Sequence, residues 1–275
     1  MANNDSMVER ASRKRWPLWL SLVLAILVVL NGLPFLAPVF MRIGWEFPGR
    51  AIYLAYGALC HQMAQRSFFL FGPGGFQMYN ISELPIDMSG LSQGARILAL
   101  RGFIGNPQMG WKVAWSDRMV YMYTAPLLVA VVYALLRLRG PVKPLSLWAF
   151  VLFLMPMAID GGTHWVSDFA GIGQGFRDSN LWLATLTNHA LPAAFYAGDA
   201  LGSFNSLMRL FSGLSFGIAV GGLIYPYLDL SLPYTRARPP FYPEKLPDEI
   251  VLPLDHSSAR LSPDDKPKLN LGTHR

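Results

Sequence analysis

Four stretches of the chain run long enough without an ionisable side chain to cross a hydrocarbon layer, which takes roughly 20 mostly apolar residues in a helix. Trp16 to Met41 is free of charge for 26 residues and opens on Trp-Pro, an interfacial ring followed by a residue suited to a helix start. Pro34 and Pro38 are expected to kink or end this span on its far side. Met119 to Leu136 lies between Arg118 and Arg137, Pro144 to Ile159 meets Asp160, and Leu210 to Leu228 lies between Arg209 and Asp229. The last of these carries Gly213, Gly217, Gly221 and Gly222, a small-xxx-small spacing that lets a neighbouring helix come close. The pattern therefore predicts spans at about 16–41, 119–137, 144–160 and 209–228.

Two further apolar segments do not fit a full crossing. Ala51 to Met63 is too short, and Leu181 to Gly198 is interrupted by Asn188, His189 and Pro192. Both read as half-buried, interfacial or re-entrant helices, which membrane proteins tolerate where protein or a wet cavity covers the irregular backbone. The expected fold class is all-α integral membrane: four transmembrane helices, short interfacial or re-entrant helices, long extracytoplasmic loops and an extended C-terminal tail.

Lys and Arg near span ends set the expected orientation. Arg10, Arg13, Lys14 and Arg15 precede the first span, Arg137, Arg139 and Lys143 fill the link between the second and third, and Arg236 and Arg238 follow the fourth. With four spans all three clusters fall on one side, so both termini are expected in the cytoplasm of a multi-pass cell-membrane protein. The chain divides into a cytoplasmic basic segment at 1–15, a polytopic membrane domain at 16–230 and a Pro-rich cytoplasmic tail at 231–275. A signal peptide is disfavoured, because the apolar run far exceeds an h-region of about 7 to 15 residues. The tail is read as a solvated segment, or as an arm that wraps a partner subunit.

Composition narrows the class further. Of 275 residues 52% are hydrophobic and only 15% charged, with a net charge of +6. An ordinary soluble domain carries about 25% charged residues, so the deficit excludes a typical cytosolic or disordered chain. The single Cys60 excludes an internal disulfide framework and a multi-cysteine zinc site. No phosphate-binding glycine loop, Ser-His-Asp signature or nucleic-acid module is visible, and membrane orientation accounts for the basic charge.

Chemistry must then come from polar side chains beside the membrane, where an ionisable group is costly. Asp160, His164 and Asp168 are spaced i, i+4, i+8, so a continuous helix would stack them on one face. Such a ladder can bind a divalent metal, relay a proton or fix an imidazole tautomer, although Gly161 and Gly162 threaten the helix. Cys60, His61, Gln62 and Arg66 form a second group, in which Gln62 and Arg66, at i, i+4, could hold an anionic or carbonyl group. The thiol reads as a packed, inert residue. A third group gathers charges near span ends: Asp117 and Arg118, Arg177, Asp178 and Asn180, and Asp199, Asn205 and Arg209. In the four-span topology all of these lie on the non-cytoplasmic side, as a structural ion-pair network or as one polar site.

The motifs "LCHQMAQRSFF", "SDRMVYMY", "PMAIDGGTH", "RDSN" and "NSLMRLFSGLSFG", in this order from Tyr53 to about Gly217, resemble a bacterial predicted-membrane-protein family known as domain of unknown function two thousand and eighty-five. By that resemblance the matching positions are Cys60, His61, Gln62, Arg66, Ser67, Arg118, Tyr123, Asp160, Gly161, Arg177, Asn180, Arg209 and Gly213. The family often carries cysteine near the place held here by Ser116 and Asp117, so the thiolate metal or redox site that such cysteines imply is not expected of this chain, and an oxygen and nitrogen site would have to replace it. The resemblance implies a fold and no reaction.

Two functions follow as expectations. One is a scaffold or accessory subunit, with the bilayer as its surroundings, partner subunits met through the tail and the extracytoplasmic loops, and no nucleic acid. The other is a polar site at the outer membrane boundary, drawn from His61, Asp117, Asp160, His164, Asp168 and Arg209, that binds a divalent metal as an ion-binding protein or membrane hydrolase.

Overall fold

The computed structural model describes residues 16–232. The basic segment at 1–15, with Arg10, Arg13, Lys14 and Arg15, and the tail beyond 232, with Arg236 and Arg238, lie outside the described residues. Four helices are long and apolar enough to cross a membrane: α1 (Leu18–Arg42), α4 (Asp117–Arg139), α5 (Leu147–Asp168) and α9 (Phe204–Ser231). Between them lie α2 (Glu46–Tyr56), α3 (Gln93–Gly102), α6 (Phe176–Ser179), α7 (Leu181–Leu186) and α8 (Ala193–Tyr196). At 11, 6 and 4 residues, α2, α7 and α8 are each too short to cross alone.

All-α was incomplete as a fold class. Strands β1 (Ser67–Gly72), β2 (Gly75–Gln77), β3 (Gly105–Asn106) and β4 (Gly110–Ser116) form an antiparallel sheet in the order β2-β1-β4-β3. It occupies part of what the hydropathy pattern leaves as a long loop. Cross-strand pairs Phe69↔Lys112 and Ser67↔Ser116 fix the register. That register matters for the polar site, because Arg66 immediately precedes β1 and Asp117 immediately follows β4. The sheet packs on α1 and the end of α2, joining Phe68, Val113 and Trp115 to Ala37 and Met41 of α1 and Tyr56 of α2 in one core.

The prolines do not end the spans. Pro34 and Pro38 lie inside α1, which runs on to Arg42. A helical proline leaves the carbonyl four residues back without its amide donor. Here the Leu30 carbonyl accepts from Tyr56 Oη at 3.0 Å, and the Gly222 carbonyl, left by Pro226, accepts from Leu145 N at 3.0 Å. These two breaks are thereby turned into tertiary contacts.

Helix α9 is the hub of the bundle, with α4 on one side and α5 on the other. Its Gly213, Gly217 and Gly221 face Tyr121, Ala125 and Val129 of α4 in step, so these two helices run parallel. A Cβ on Gly213 would stand 2.7 Å from Tyr121 Cβ, and one on Gly217 would overlap the backbone at Ala125. The small-residue spacing therefore does what the sequence predicts. Away from the polar site, Trp19, Tyr133 and Tyr225 cluster with ring centroids 5.9–6.3 Å apart, beside the Arg137–Asp229 pair at 2.7 Å. Trp148, Leu152 and Trp165 of α5 project outward with 84%, 69% and 67% exposure, apolar surface suited to lipid.

Candidate functional site

Helices α4 and α9 start, and α5 ends, at the same end of the bundle, and most of the charged residues singled out by sequence converge there. Each long helix extends past its charge-free stretch: α4 begins at Asp117, α5 continues through Gly161 and Gly162 to Asp168, and α9 begins at Phe204. The glycines do not interrupt α5, so Asp160, His164 and Asp168 do share one face.

Their partners are guanidinium groups. Arg66 grips Asp168 with two parallel bonds of 2.8 Å and reaches Asp199 through Nε at 2.9 Å. Asp199 in turn meets Arg209 Nη1 at 2.8 Å, and Arg209 Nε meets Asp117 at 2.6 Å. A second chain places Asp160 between Arg118, at 2.7 Å, and Arg177, at 2.8 Å, with Ser212 Oγ donating at 3.2 Å. Asp117, Asp160, Asp199, Arg177 and Arg209 are all buried. Four aspartates and four arginines thus alternate, so their formal charges cancel and each carboxylate has a cation in contact. Bidentate arginine geometry makes such contacts directional.

The loops that supply Arg177 and Asp199 are held by amides. Asn205 Nδ2 donates to the carbonyls of Arg177 and Gly198, and Asn180 Nδ2 to those of Arg177 and Tyr196, at 2.7–2.9 Å. Asn180 sits in the left-handed region at φ 43°, a conformation asparagine tolerates better than most residues. Gly175 presses so closely on Ser167 that a Cβ there would overlap its backbone. Burial disfavours the charge on Arg66, yet Asp199 and Asp168 outweigh it and hold the guanidinium above its ordinary pKa. Burial likewise opposes ionised Asp199, but Arg66 and Arg209 keep its carboxyl well below the usual range. Arg177 is pushed down by burial, which Asp160 only partly offsets.

His164 Nε2 lies 3.2 Å from Arg177 Nη2, 3.5 Å from Arg209 Nη1 and 3.8 Å from Asp160 Oδ1. Facing two N–H donors, Nε2 accepts, which puts the ring proton on Nδ1, and Nδ1 has no partner among the described residues. The metal ladder expected of Asp160, His164 and Asp168 takes another form. Asp168 turns to Arg66 and Asp160 to Arg118 and Arg177, so their oxygens are committed to hydrogen bonds. Among the described residues no group of three or more His, Cys, Asp or Glu is placed to hold a metal ion.

The Cys60 group does not join the cluster as a unit. Residues 60–63 are not helical, so Gln62 and Arg66 share no helix face. Gln62, at φ 51°, donates to the carbonyls of Tyr53 and Ala114, while Arg66 alone enters the cluster. His61 is exposed, and Cys60 is buried with Sγ 3.4 Å from Ser116 Oγ. Sequence reasoning missed Lys112, fully buried in β4 and donating to the carbonyls of Gln62 and Arg101 at 2.7 and 2.9 Å. Burial pulls its pKa down to about 7. A lysine between Trp111 and Val113 in an apolar run was the available signal. Ser212, Thr163 and Ser167 were also missed, and serines and threonines in a helix carry no comparable signal.

Residues 108–223 match the family described as predicted membrane protein, DUF2085. Arg118, Asp160, Arg177, Asn180 and Arg209 fall inside the matched stretch, whereas Cys60, His61, Gln62 and Arg66 precede it. A relative in Methanocaldococcus jannaschii, the uncharacterized protein MJ1492, is 26% identical over 149 residues, covering 52% of this chain and 69% of its own. No solved structure matches.

Proposed function

We propose, taking as premise that residues 108–223 match a family of predicted membrane proteins, that this chain is a four-crossing, non-catalytic scaffold or accessory subunit of a membrane complex. The carrying observation is the paired state of the cluster: each of Asp117, Asp160, Asp168 and Asp199 contacts at least one guanidinium within 2.9 Å. Such pairing locks the ends of α4, α5 and α9 to the sheet and leaves none of these four carboxylates free to activate water. The orientation supported by charge puts the cluster on the extracytoplasmic face. Arg137, Arg139 and Lys143, at the other end of the bundle, belong on the cytoplasmic face.

Metal analysis of detergent-purified protein tests this reading against a metal-dependent hydrolase or ion-binding protein. The scaffold reading predicts well under one metal ion per chain in the native protein, in Asp160→Ala and in His164→Ala. One ion per native chain that is lost from both variants would replace it with the metal-dependent reading.

A further inference from the structure

On the flank of the ion-pair cluster, a cleft of about 350 Å³ opens between residues 80–82, Gly173 and α8. Its polar lining includes Gln65, Asn80, Asp178 and Asp199, and among the described residues no basic side chain lines it. The oxygens there want donors. Gln65 is only 3% exposed, and its Oε1 has no hydrogen-bond partner among the described residues. Asn80 is half-buried, and its Oδ1 has no hydrogen-bond partner among the described residues. Asp178 accepts from Gly175 N at 2.8 Å, and among the described residues no cation pairs with it. Native proteins rarely leave such acceptors unsatisfied, and an exception of this kind points to a missing donor.

We propose that this cleft binds a primary ammonium group, with Asp178 as counter-ion and the side-chain oxygens of Gln65 and Asn80 as acceptors. An ammonium carries three N–H donors, matching these three acceptors. Ile81, Ala193, Ala194 and Ala197 give the organic body of an amine an apolar wall. An anion finds no cation here. A bare divalent ion finds too few anionic ligands, because Asp199 is already shared by Arg66 and Arg209. The cleft lies at the level where the long helices end, so the ammonium can come from an aminophospholipid headgroup or from a free amine.

Isothermal titration of the full chain in detergent with ethanolamine and with choline tests the proposal, since a quaternary ammonium has no N–H to offer. Ethanolamine should bind at least about tenfold more tightly than choline, the equivalent of about 1.4 kcal/mol. Asp178→Asn should weaken ethanolamine by at least the same factor. Ala194 is exposed at the rim, so Ala194→Trp should block binding while leaving thermal unfolding at the native temperature. A parallel arm compares nanodiscs of phosphatidylethanolamine and phosphatidylcholine by native mass spectrometry. Retained phosphatidylethanolamine, lost in Ala194→Trp, assigns the headgroup, and ethanolamine binding without retained lipid assigns a free amine. Equal affinity for choline, native affinity in Asp178→Asn and Ala194→Trp, or no binding in either arm would overturn the proposal. None of these outcomes bears on the metal content that tests the scaffold reading.

Discussion

Replacing Arg209 with Met tests whether the cluster acts as one coupled unit. The change removes the bonds from Nε to Asp117 at 2.6 Å, from Nη1 to Asp199 at 2.8 Å and from Nη2 to the Asp199 carbonyl at 3.1 Å. Asp199 keeps Arg66, but among the described residues Asp117 keeps only the Arg118 backbone amide at 2.7 Å. A buried carboxylate stranded in this way typically costs about 3–5 kcal/mol. Asp117→Asn should cost less, about 1–3 kcal/mol, because the amide still offers an acceptor and Arg209 retains Asp199. Once Asp117 is neutral, the main penalty of Arg209→Met is gone. The double variant should therefore be more stable than the sum of the two losses predicts, by about 1–3 kcal/mol. Unfolding in mixed micelles by titration with a denaturing detergent measures all four corners of the cycle. Additivity within about 0.5 kcal/mol would refute the coupling.

Other perturbations report on other parts of the account. Gly217→Leu should destabilise the bundle by several kcal/mol, as the new side chain meets the backbone at Ala125, whereas Gly32→Ala, with open space around it, should be neutral or stabilise by up to about 1 kcal/mol. Thermal unfolding of both variants in one micelle system makes the comparison. Lys112, lowered from 10.5 to about 7, binds fewer protons folded than unfolded, so its contribution to stability increases from about pH 7 to about pH 10. The native protein should gain on Lys112→Met by up to about 1.4 kcal/mol per pH unit in that window, and parallel curves in denaturant titrations at several pH values would contradict this. Asn180→Gly should retain about 1 kcal/mol more stability than Asn180→Ala, because both lose the amide contacts but only glycine adopts φ 43° without strain. Equal unfolding midpoints for the two would remove the backbone argument.

How much was legible in the sequence differed from element to element. The four long apolar helices were, because each is built round a charge-free apolar run, and only their polar ends were drawn too short. Asp117, Asp160 to Asp168 and Arg209 continue helices whose apolar stretch has already stopped, and hydropathy cannot see past that point. The sheet was hidden because its strands are two to seven residues long and carry Gly72, Gly75, Gly105 and Gly110, which read as loop. The face shared by Asp160, His164 and Asp168 followed from helical spacing alone. Their partners did not, since Arg66 reaches Asp168 across 102 positions through a sheet register that no local pattern encodes.

The account rests on an even number of crossings that brings the charged cluster to one face of the bilayer and the 140–146 link to the other. In a Cys60→Ser background, single cysteines at the exposed positions Ser89 and Lys143 can be labelled in sealed vesicles with a membrane-impermeant maleimide. Ser89→Cys should react only from the extracytoplasmic side and Lys143→Cys only from the cytoplasmic side. Labelling of both from the same side would contradict the four-crossing arrangement.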